Sequence, residues 1–456
     1  MSSLLVSGGR VVDPASGLDQ VADVWIQDGR IAAVGVGIGS QVPAGTPVID
    51  ARGQVVAPGL IDLHVHFREP GQVKKEDIAS GSRCAARGGF TTVVCMPNTS
   101  PSIDNAGTVA LIHDRASQAA VRVEVAGALT RGIAGEELAP IGSLFKAGVV
   151  ALTDDGHCIQ NNELMRRACE YARMFGLPVM DHCQDYGLVT QGVMHEGIYS
   201  TMLGLAGWPA AGEEVIVARN ILLAEQTGTP IHCQHLSSAG SVRLLREARA
   251  RGVPISGEAC PHHFTLTDAC VAGSDAFWRE DGADIAARFF AGHPLPQWPS
   301  YHTDFKMNPP LRSAADRAAI LEGLVDGTIH IISSDHAPHS PSDKDVEFDS
   351  APFGIVGLET ELALSLMALV HTGRLPLIRL LDRLTCAPAR LLRFSDGRGE
   401  LRVGGVGDVV VFDPDQDWTC QRTETCSKSL NNPFAGWRLR GRVSHTIVGG
   451  RVVWPA

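Results

Sequence analysis

The stretch that decides the fold is Gly59-Leu60-Ile61-Asp62-Leu63-His64-Val65-His66-Phe67-Arg68-Glu69-Pro70-Gly71. Its first half is mostly apolar and predicts a short buried strand, which the Pro-Gly turn signal ends. Because alternate residues of a strand point to the same side, His64 and His66 should project together from its C-terminal end, with Arg68 just beyond them. Neutral imidazoles are common ligands for zinc and similar metals, so this stretch predicts a metal site.

Eight mostly apolar runs in the middle of the chain alternate with segments long enough for helices. They are residues 60–66, 91–98, 122–129, 149–155, 177–183, 230–236, 254–260 and 329–336. Eight such units predict an α/β fold, a closed (β/α)8 TIM-type barrel whose active site lies at the C-terminal ends of the strands. An open doubly wound sheet is the structural alternative, but no GxGxxG motif opens a helix, so nothing indicates a dinucleotide site.

Both ends of the chain consist of short strands and turns. Residues 24–31 form a hairpin pattern with an Asp-Gly turn, and residues 407–413 and 446–454 have the same character. Neither end is large enough to form a separate hydrophobic core. We therefore expect residues 1–56 and 395–456 to form one small composite β-sandwich domain beside a catalytic barrel of residues 57–394.

The later strand ends carry further ionisable residues. The fourth run ends in Thr153-Asp154-Asp155-Gly156, the fifth in Asp181-His182-Cys183, the sixth contains Gln234-His235, and the eighth ends in Asp335-His336. Each of these residues alone could have a purely structural role, as a capping aspartate or a hydrogen-bonded core histidine. Buried ionisable groups are costly unless they are paired or bind a metal, so their recurrence at one end of the barrel strengthens the prediction of a metal site.

The composition excludes several classes of protein. The chain has 456 residues, of which 44% are hydrophobic, and its formal net charge of -11 argues against a nucleic-acid partner. No stretch approaches the roughly 18 apolar residues of a membrane span, so we expect no membrane partner. The 11 cysteines lack a framework spacing, which predicts reduced thiols in a cytoplasmic protein.

Five motifs together resemble those of the dihydroorotases, a branch of the cyclic amidohydrolases. They are Arg-Glu-Pro-Gly at 68–71, Met-Pro-Asn-Thr at 96–99, Thr-Asp-Asp-Gly at 153–156, Lys-Met-Asn-Pro-Pro-Leu-Arg at 306–312 and Ser-Asp-His-Ala-Pro-His at 334–339. The resemblance implies a zinc-dependent hydrolase that interconverts L-dihydroorotate and N-carbamoyl-L-aspartate in de novo pyrimidine biosynthesis. Allantoinases and hydantoinases share HxH but usually lack the arginine; they remain an alternative, as does a non-catalytic barrel that scaffolds an aspartate transcarbamoylase.

The resemblance also implies a two-metal site. It gives one zinc to His64, His66 and Asp335 and the second to His182 and His235. Many relatives bridge the ions with a carbamylated lysine at the fourth strand's end, where this chain has no lysine, so it looks like the bacterial branch that bridges with an aspartate. The comparison favours Asp155 over Asp154 for that bridge, although the sequence alone leaves both open.

The remaining roles concern the substrate. Asp335 can carry a proton to the leaving nitrogen, and Arg68 suits a bidentate grip on a carboxylate. The resemblance implies a wider set of substrate contacts: His66, Asn98 and His339 around the carboxylate, and Asn308 with the backbone of Phe353 and Gly354 around the ring amides. His262 and His263 match a family position, but we assign them no ligand role.

The chain departs from this family in one segment. Relatives usually have a short link before Lys306, whereas here residues 270–303 form an insertion rich in Phe and Trp. It could be a lid, an oligomer contact or a solvated loop with a short helix, and its aromatic residues speak against the last. We expect a homo-oligomer, specifically a dimer, and an aspartate transcarbamoylase is a further candidate partner.

Overall fold

The computed structural model describes residues 2–455 and contains 18 strands in three sheets. The N-terminal strands are β1 Ser3–Asp13, β2 Leu18–Gln27, β3 Arg30–Gly35, β4 Val48–Asp50 and β5 Val55–Pro58. The central strands are β6 Leu60–Val65, β7 Phe90–Cys95, β8 Arg122–Gly127, β9 Ala151–Leu152, β10 Val179–Asp181, β11 Met194–His195, β12 Gly207–Trp208, β13 Ile231–Cys233, β14 Ile255–Ala259 and β15 Ile331–Ile332. The C-terminal strands are β16 Val409–Thr419, β17 Arg438–Val448 and β18 Arg451–Trp454.

The helices lie between these strands and after them. They are α1 Ile78–Gly88, α2 Ala106–Ala116, α3 Ile141–Ala147, α4 Asn162–Met174, α5 Tyr186–Val189, α6 Ile198–Leu203, α7 Ala211–Thr227, α8 Ala239–Ala250, α9 Pro261–Thr265, α10 Ser274–Ala276, α11 Ala283–Phe289, α12 Ala314–Asp326, α13 Pro341–Lys344, α14 Glu361–Ser365, α15 Leu377–Leu384 and α16 Cys386–Leu391. Short π-helical turns occur at Phe277–Asp281 and Leu366–Val370. No helix within residues 2–455 is long and apolar enough to cross a membrane.

Eight parallel strands form the predicted barrel, in the order β6, β7, β8, β9, β10, β13, β14, β15. The ring closes where Val65 bridges His336, and the His66 N–H donates to the His336 carbonyl at 2.8 Å. The barrel prediction is confirmed, and the open doubly wound alternative is wrong. The strands are shorter than the predicted runs, because the polar residues at the ends of those runs have already left the sheet. Run 149–155, for example, contains only the two-residue strand β9.

The two chain ends form one eight-stranded sheet, in which β5 pairs with both β1 and β16. Residues from both ends share an apolar cluster that includes Val6, Val24, Ile26, Val409 and Ile447. The Asp-Gly turn between β2 and β3 is present, with both residues at positive φ, as a tight hairpin requires. The composite terminal domain is therefore confirmed, whereas the division at residues 56 and 395 stays a prediction.

The insertion at 270–303 has an exposed outer side, but several of its aromatic side chains are packed. Phe277, Trp278 and Phe290 are nearly fully buried and join Trp437 of the C-terminal region in a second apolar cluster. The ring centroids of Trp278 and Trp437 are 5.2 Å apart. The interpretation as a merely solvated loop is therefore wrong, and the insertion ties the barrel to the C-terminal region.

Candidate active site

All six predicted metal ligands converge at the C-terminal end of the barrel. Each follows or ends a strand: His64 and His66 at β6, Asp155 after β9, His182 after β10, His235 after β13 and Asp335 after β15. All of them are at least nine-tenths buried. The backbone turns sharply at several of these strand ends, with φ of 59° at Arg68, 33° at His235 and 46° at Asp335. Non-glycine residues rarely adopt such angles, and strained residues of this kind cluster at functional sites.

Asp155 lies at the centre of the cluster. Its Oδ1 is 3.2 Å from His64 Nε2 and 3.7 Å from both His182 Nδ1 and His235 Nε2. Its Oδ2 is 3.4 Å from His66 Nε2. Asp155 belongs to two groups of three possible metal ligands, one with His64 and His66 and the other with His182 and His235. Within each group the ligand atoms lie within 4.8 Å of one another.

The cluster is suited to binding metal. His64 Nε2 and Asp155 Oδ1 are buried and have no hydrogen-bond partner, which costs about 1–3 kcal/mol per atom unless something else satisfies them. Burial alone would raise the pKa of Asp155, but the imidazoles of His64, His235 and His66 hold it well below its usual range, so the carboxylate is ionised. Imidazole nitrogen and carboxylate oxygen are the donors that zinc takes in hydrolytic enzymes.

Three of the imidazoles are oriented by partners outside the cluster. The contacts are His64 Nδ1 to Glu258 Oε1 at 2.8 Å, His66 Nδ1 to Asn98 Oδ1 at 2.9 Å and His182 Nε2 to Gln184 Oε1 at 2.8 Å. Since each partner atom is an acceptor, each of these ring nitrogens carries the proton. The other ring nitrogen of each points into the cluster, where His64 Nε2 is nearest to Asp155, His66 Nε2 to Asp335 and His182 Nδ1 to His235. Metal-binding histidines are oriented in the same way.

Glu258 is a residue that the sequence analysis missed. It lies on β14, fully buried, and accepts hydrogen bonds from His64 Nδ1, His232 Nε2 at 3.1 Å and Ser333 Oγ at 2.8 Å. Although burial opposes ionisation, His232 and His64 hold its pKa well below the usual range. A glutamate inside an apolar strand was the available signal, because such a charge needs a partner.

The two candidate bridging aspartates have different surroundings. Asp154 Oδ1 accepts from the backbone N–H groups of Leu129 and Thr130 at 2.8 and 3.0 Å, and its Oδ2 accepts from the Thr130 hydroxyl. Its carboxylate is therefore occupied by the β8 loop. The carboxylate of Asp155 instead faces four imidazoles, as described above.

A cavity of about 740 Å³, including its open mouth, lies over the cluster. Its lining contains all seven predicted substrate contacts, which are His66, Arg68, Asn98, Asn308, His339, Phe353 and Gly354. It also contains Asp155, His182, His235 and Asp335. The predicted substrate contacts therefore lie around one cavity, although they are up to 288 positions apart in the sequence, from His66 to Gly354.

One wall of the cavity is cationic. Burial lowers the pKa of Arg68 only to about 10, so its guanidinium is charged at neutral pH. It donates from Nε to the Pro338 carbonyl at 3.2 Å. His339 donates from Nε2 to the Phe353 carbonyl at 2.8 Å, and burial together with the neighbouring charge of Arg68 lowers its pKa to about 2. His339 is therefore a neutral neighbour of Arg68.

A second wall, which meets the first where His339 contacts Phe353, offers amide groups. Asn308 donates from Nδ2 to Gln184 at 3.1 Å, whereas its Oδ1 is buried without a partner and can accept a hydrogen bond. The Gly354 N–H already donates to the Lys306 carbonyl at 3.0 Å, whereas the carbonyls of Phe353 and Gly354 each accept one hydrogen bond and keep a second lone pair. Gly354 has φ 127°, and a Cβ there would approach Ala337 Cβ to 2.7 Å, so only glycine fits.

Lys344 holds this wall in place. Its side chain is 7% exposed, and Nζ donates to the carbonyls of Thr303 at 3.0 Å, Lys306 at 3.3 Å and Pro352 at 2.9 Å. One side chain therefore joins the end of the insertion, the Asn308 segment and the loop before Phe353.

Comparison with known proteins identifies close relatives over the whole chain. A family model described as Dihydro-orotase-like matches residues 53–241. A protein named dihydroorotase from Citrifermentans bemidjiense is 50% identical over 455 residues, which cover 100% of both chains. Proteins of the same name from Pelotomaculum thermopropionicum and Anaeromyxobacter dehalogenans are each 49% identical, over 99% of this chain and 98% and 97% of their own.

Solved structures share the fold. L-hydantoinase (dihydropyrimidinase) from Arthrobacter aurescens has a TM-score of 0.83 at 24% identity and covers 99% of this chain and 96% of its own. Dihydropyrimidinase from Brevibacillus agri has a TM-score of 0.81 at 22% identity, over 99% and 94%. At these identities the likeness extends to the fold alone.

Proposed function

This chain belongs to the dihydroorotase family, whose reaction is the reversible hydrolysis of L-dihydroorotate to N-carbamoyl-L-aspartate in de novo pyrimidine biosynthesis, and we propose that the cavity around Asp155 is where this chain carries it out. The observation that carries the proposal is the position of Arg68. Its buried, charged guanidinium lines the same cavity as the ligand cluster, so one small molecule can contact both. Dihydroorotate has a carboxylate for the arginine and a cyclic amide for the cluster.

Two zinc ions per chain are the metal content we assign to this site. His64, His66 and Asp335 would hold one ion, His182 and His235 the other, and Asp155 would bridge them. The ions would activate a water molecule for attack and polarise the scissile carbonyl. The choice of Asp155 is supported by its central position, and Asp154 is disfavoured because its oxygens are taken by Leu129 and Thr130.

The cationic wall would bind the substrate carboxylate. Arg68 would make a bidentate contact, which is stronger and more directional than a contact to a lysine. His339 stays neutral and keeps the Phe353 loop close to the arginine. Asn98 holds His66 with its amide oxygen and can offer amide N–H groups toward the cavity.

The amide wall would bind the ring. The free Oδ1 of Asn308 can accept a ring N–H, and the carbonyls of Phe353 and Gly354 each have a second lone pair for the same purpose. Such contacts to the N–H groups at the edge of the cyclic imide-like ring would fix the scissile carbonyl over the ligand cluster.

Asp335 would carry the proton. Burial would raise the pKa of Asp335, but His64 and His66 hold it below its usual range, so it is ionised and can accept a proton. Its Oδ1 lies 3.0 Å from His66 Nε2 and lines the cavity. In hydrolysis it would take a proton from the attacking water and give it to the leaving ring nitrogen, and in cyclisation the same proton would move back.

The rival within the same fold is a hydantoinase- or allantoinase-like activity. Hydantoin and allantoin lack the carboxylate that Arg68 would bind, so the arginine discriminates between the two assignments. We would measure kcat/KM for L-dihydroorotate, hydantoin and allantoin with the wild type and with Arg68→Met. Preference for dihydroorotate that disappears in the variant supports the proposal; a wild type that prefers hydantoin or allantoin contradicts it.

The oligomeric state, the protein partner and the cellular location stay predictions. All 11 cysteines are free thiols, in keeping with a reducing, cytoplasmic location. A homodimer, and a complex with an aspartate transcarbamoylase, can both be tested by measuring the mass of the purified protein alone and mixed with that enzyme. The alternative of a non-catalytic scaffold is disfavoured because every ligand of the cluster is present.

A further inference from the structure

The structure assigns a third metal site, outside the catalytic cluster, to Cys260, His262 and His263, and we propose that it binds a thiophilic cation, Zn²⁺ or Cu⁺. Cys260 follows β14 directly, and both histidines lie on α9. Each of the three offers a ligand atom within 4.8 Å of those of the other two. Among residues 2–455, the other such groups of three are the two that share Asp155.

The hydrogen bonds of His263 fix which nitrogen is free. Its Nε2 donates to the Pro309 carbonyl at 2.9 Å, so Nδ1 carries no proton. This Nδ1 is buried and has no hydrogen-bond partner. A histidine that donates one ring N–H to a backbone carbonyl and presents the other nitrogen to a neighbouring group is the usual arrangement of a metal ligand.

His262 also has a buried ring nitrogen without a hydrogen-bond partner. Its side chain is 2% exposed, and Nε2 is buried without a partner. The ring centroids of His262 and His263 are 4.3 Å apart, so two unsatisfied nitrogens are buried side by side. A shared cation would satisfy both nitrogens, which are otherwise buried without a hydrogen bond.

The donor set decides the class of ion. One thiolate and two imidazoles favour Cu⁺ or Zn²⁺ over Mg²⁺ or Ca²⁺, which require oxygen ligands. Burial and the nearby carboxylate of Asp335 raise the pKa of Cys260, so the empty site holds a thiol. Binding would break the S–H bond, form the metal–sulfur bond and release one proton to solvent, with no change of oxidation state.

The site is separate from the reaction. None of its three residues lines the substrate cavity. Through His263 it holds Pro309, the neighbour of Asn308, so the ion would brace the segment that carries the amide wall. We therefore expect a structural role rather than a catalytic one.

Cobalt distinguishes this site from the catalytic cluster. The protein would be produced in minimal medium with Co²⁺, so that the ion enters as the chain folds. A thiolate ligand gives cobalt an intense near-ultraviolet charge-transfer band, which the nitrogen and oxygen ligands around Asp155 cannot give. We expect the band in the wild type and in Asp155→Ala, and its loss in Cys260→Ala.

The controls separate a specific site from adventitious thiol binding. Cys270→Ala removes another fully buried cysteine and should keep the band. His262→Gln leaves the thiol in place and should weaken the band, even if Cys260→Ala fails to fold. Metal analysis after growth with zinc or with copper identifies the natural ion as the one that gives one extra equivalent over Cys260→Ala. A wild type without the band, a band unchanged in both site variants, or no extra equivalent of either ion would overturn the proposal.

Discussion

Replacement of Glu258 by glutamine tests whether the catalytic cluster depends on a partner that touches no substrate. The carboxylate accepts from His64 Nδ1 at 2.8 Å, from His232 at 3.1 Å and from Ser333 at 2.8 Å. Glutamine keeps the shape, but it removes the negative charge and turns one acceptor into a donor. Only one of His64 and His232 would then keep an oxygen acceptor, and neither would face the negative charge that fixes the tautomer of His64 and strengthens its basicity.

The expected loss follows from the geometry. Because the partner of a single metal ligand changes, zinc affinity should fall about 10- to 100-fold, which corresponds to about 1.4–2.8 kcal/mol. We would titrate metal-free wild type and Glu258→Gln with zinc in competition with a chelator. Activity at saturating zinc should recover at least in part, since no group that contacts substrate has changed.

A matched control is available on α7. Glu213 is also buried, and it accepts from Ser237 and Ser238 instead of from a metal ligand. Glu213→Gln should therefore reduce stability without the same loss of zinc affinity. If Glu258→Gln folds and binds zinc as tightly as the wild type, the assigned role of Glu258 is refuted.

The other predictions concern the two walls and the bridge. Asp155→Ala should lose one metal equivalent by elemental analysis and most of its activity, whereas Asp154→Ala should keep the metals and lose thermal stability. Arg68→Met should lower kcat/KM for dihydroorotate by on the order of 100-fold with unchanged metal content, and metal loss would show instead that the arginine is structural. Lys344→Met should raise KM by about tenfold, because the amide wall loses its tie. Burial lowers the pKa of Lys344 from 10.5 to about 7, so between pH 7 and 10 the unfolded chain binds more protons than the folded chain. The free energy of unfolding of the wild type should therefore rise over this range. Chemical denaturation should show a smaller rise for the Lys344→Met variant. The ratio of carbamoyl aspartate to dihydroorotate at equilibrium should rise about tenfold per pH unit, because ring opening releases one proton, and a pH-independent ratio would contradict the assigned reaction.

The barrel and the ligands could be predicted because both depend on local signals. Alternation of apolar runs with helical segments gives the strands, and residues at strand ends such as His182 and His235 meet at one edge whatever the exact helix packing. The strand lengths were overestimated because residues such as Asp155 lie in loops that continue an apolar run.

Other parts of the site depend on contacts that no local pattern contains. Glu258 matters because of the His64 imidazole that it reaches across the barrel, and Lys344 because three separate carbonyls converge on it. The insertion is held by Trp437, which lies far along the chain. Cys260, His262 and His263 are neighbours in the sequence, but only the structure shows that their ligand atoms lie within 4.8 Å of one another and that each histidine has a buried ring nitrogen without a hydrogen-bond partner.

The proposed function requires that the cluster around Asp155 bind the metals with which this chain hydrolyses dihydroorotate. The most direct measurement is the rate of L-dihydroorotate hydrolysis by metal-free protein as zinc is added back, with bound zinc counted per chain. We expect no activity without zinc and a rise that ends when the Asp155 cluster is filled, while any further zinc binds without effect on the rate. Hydrolysis by the metal-free protein, or no hydrolysis after two equivalents have bound at the cluster, would contradict it.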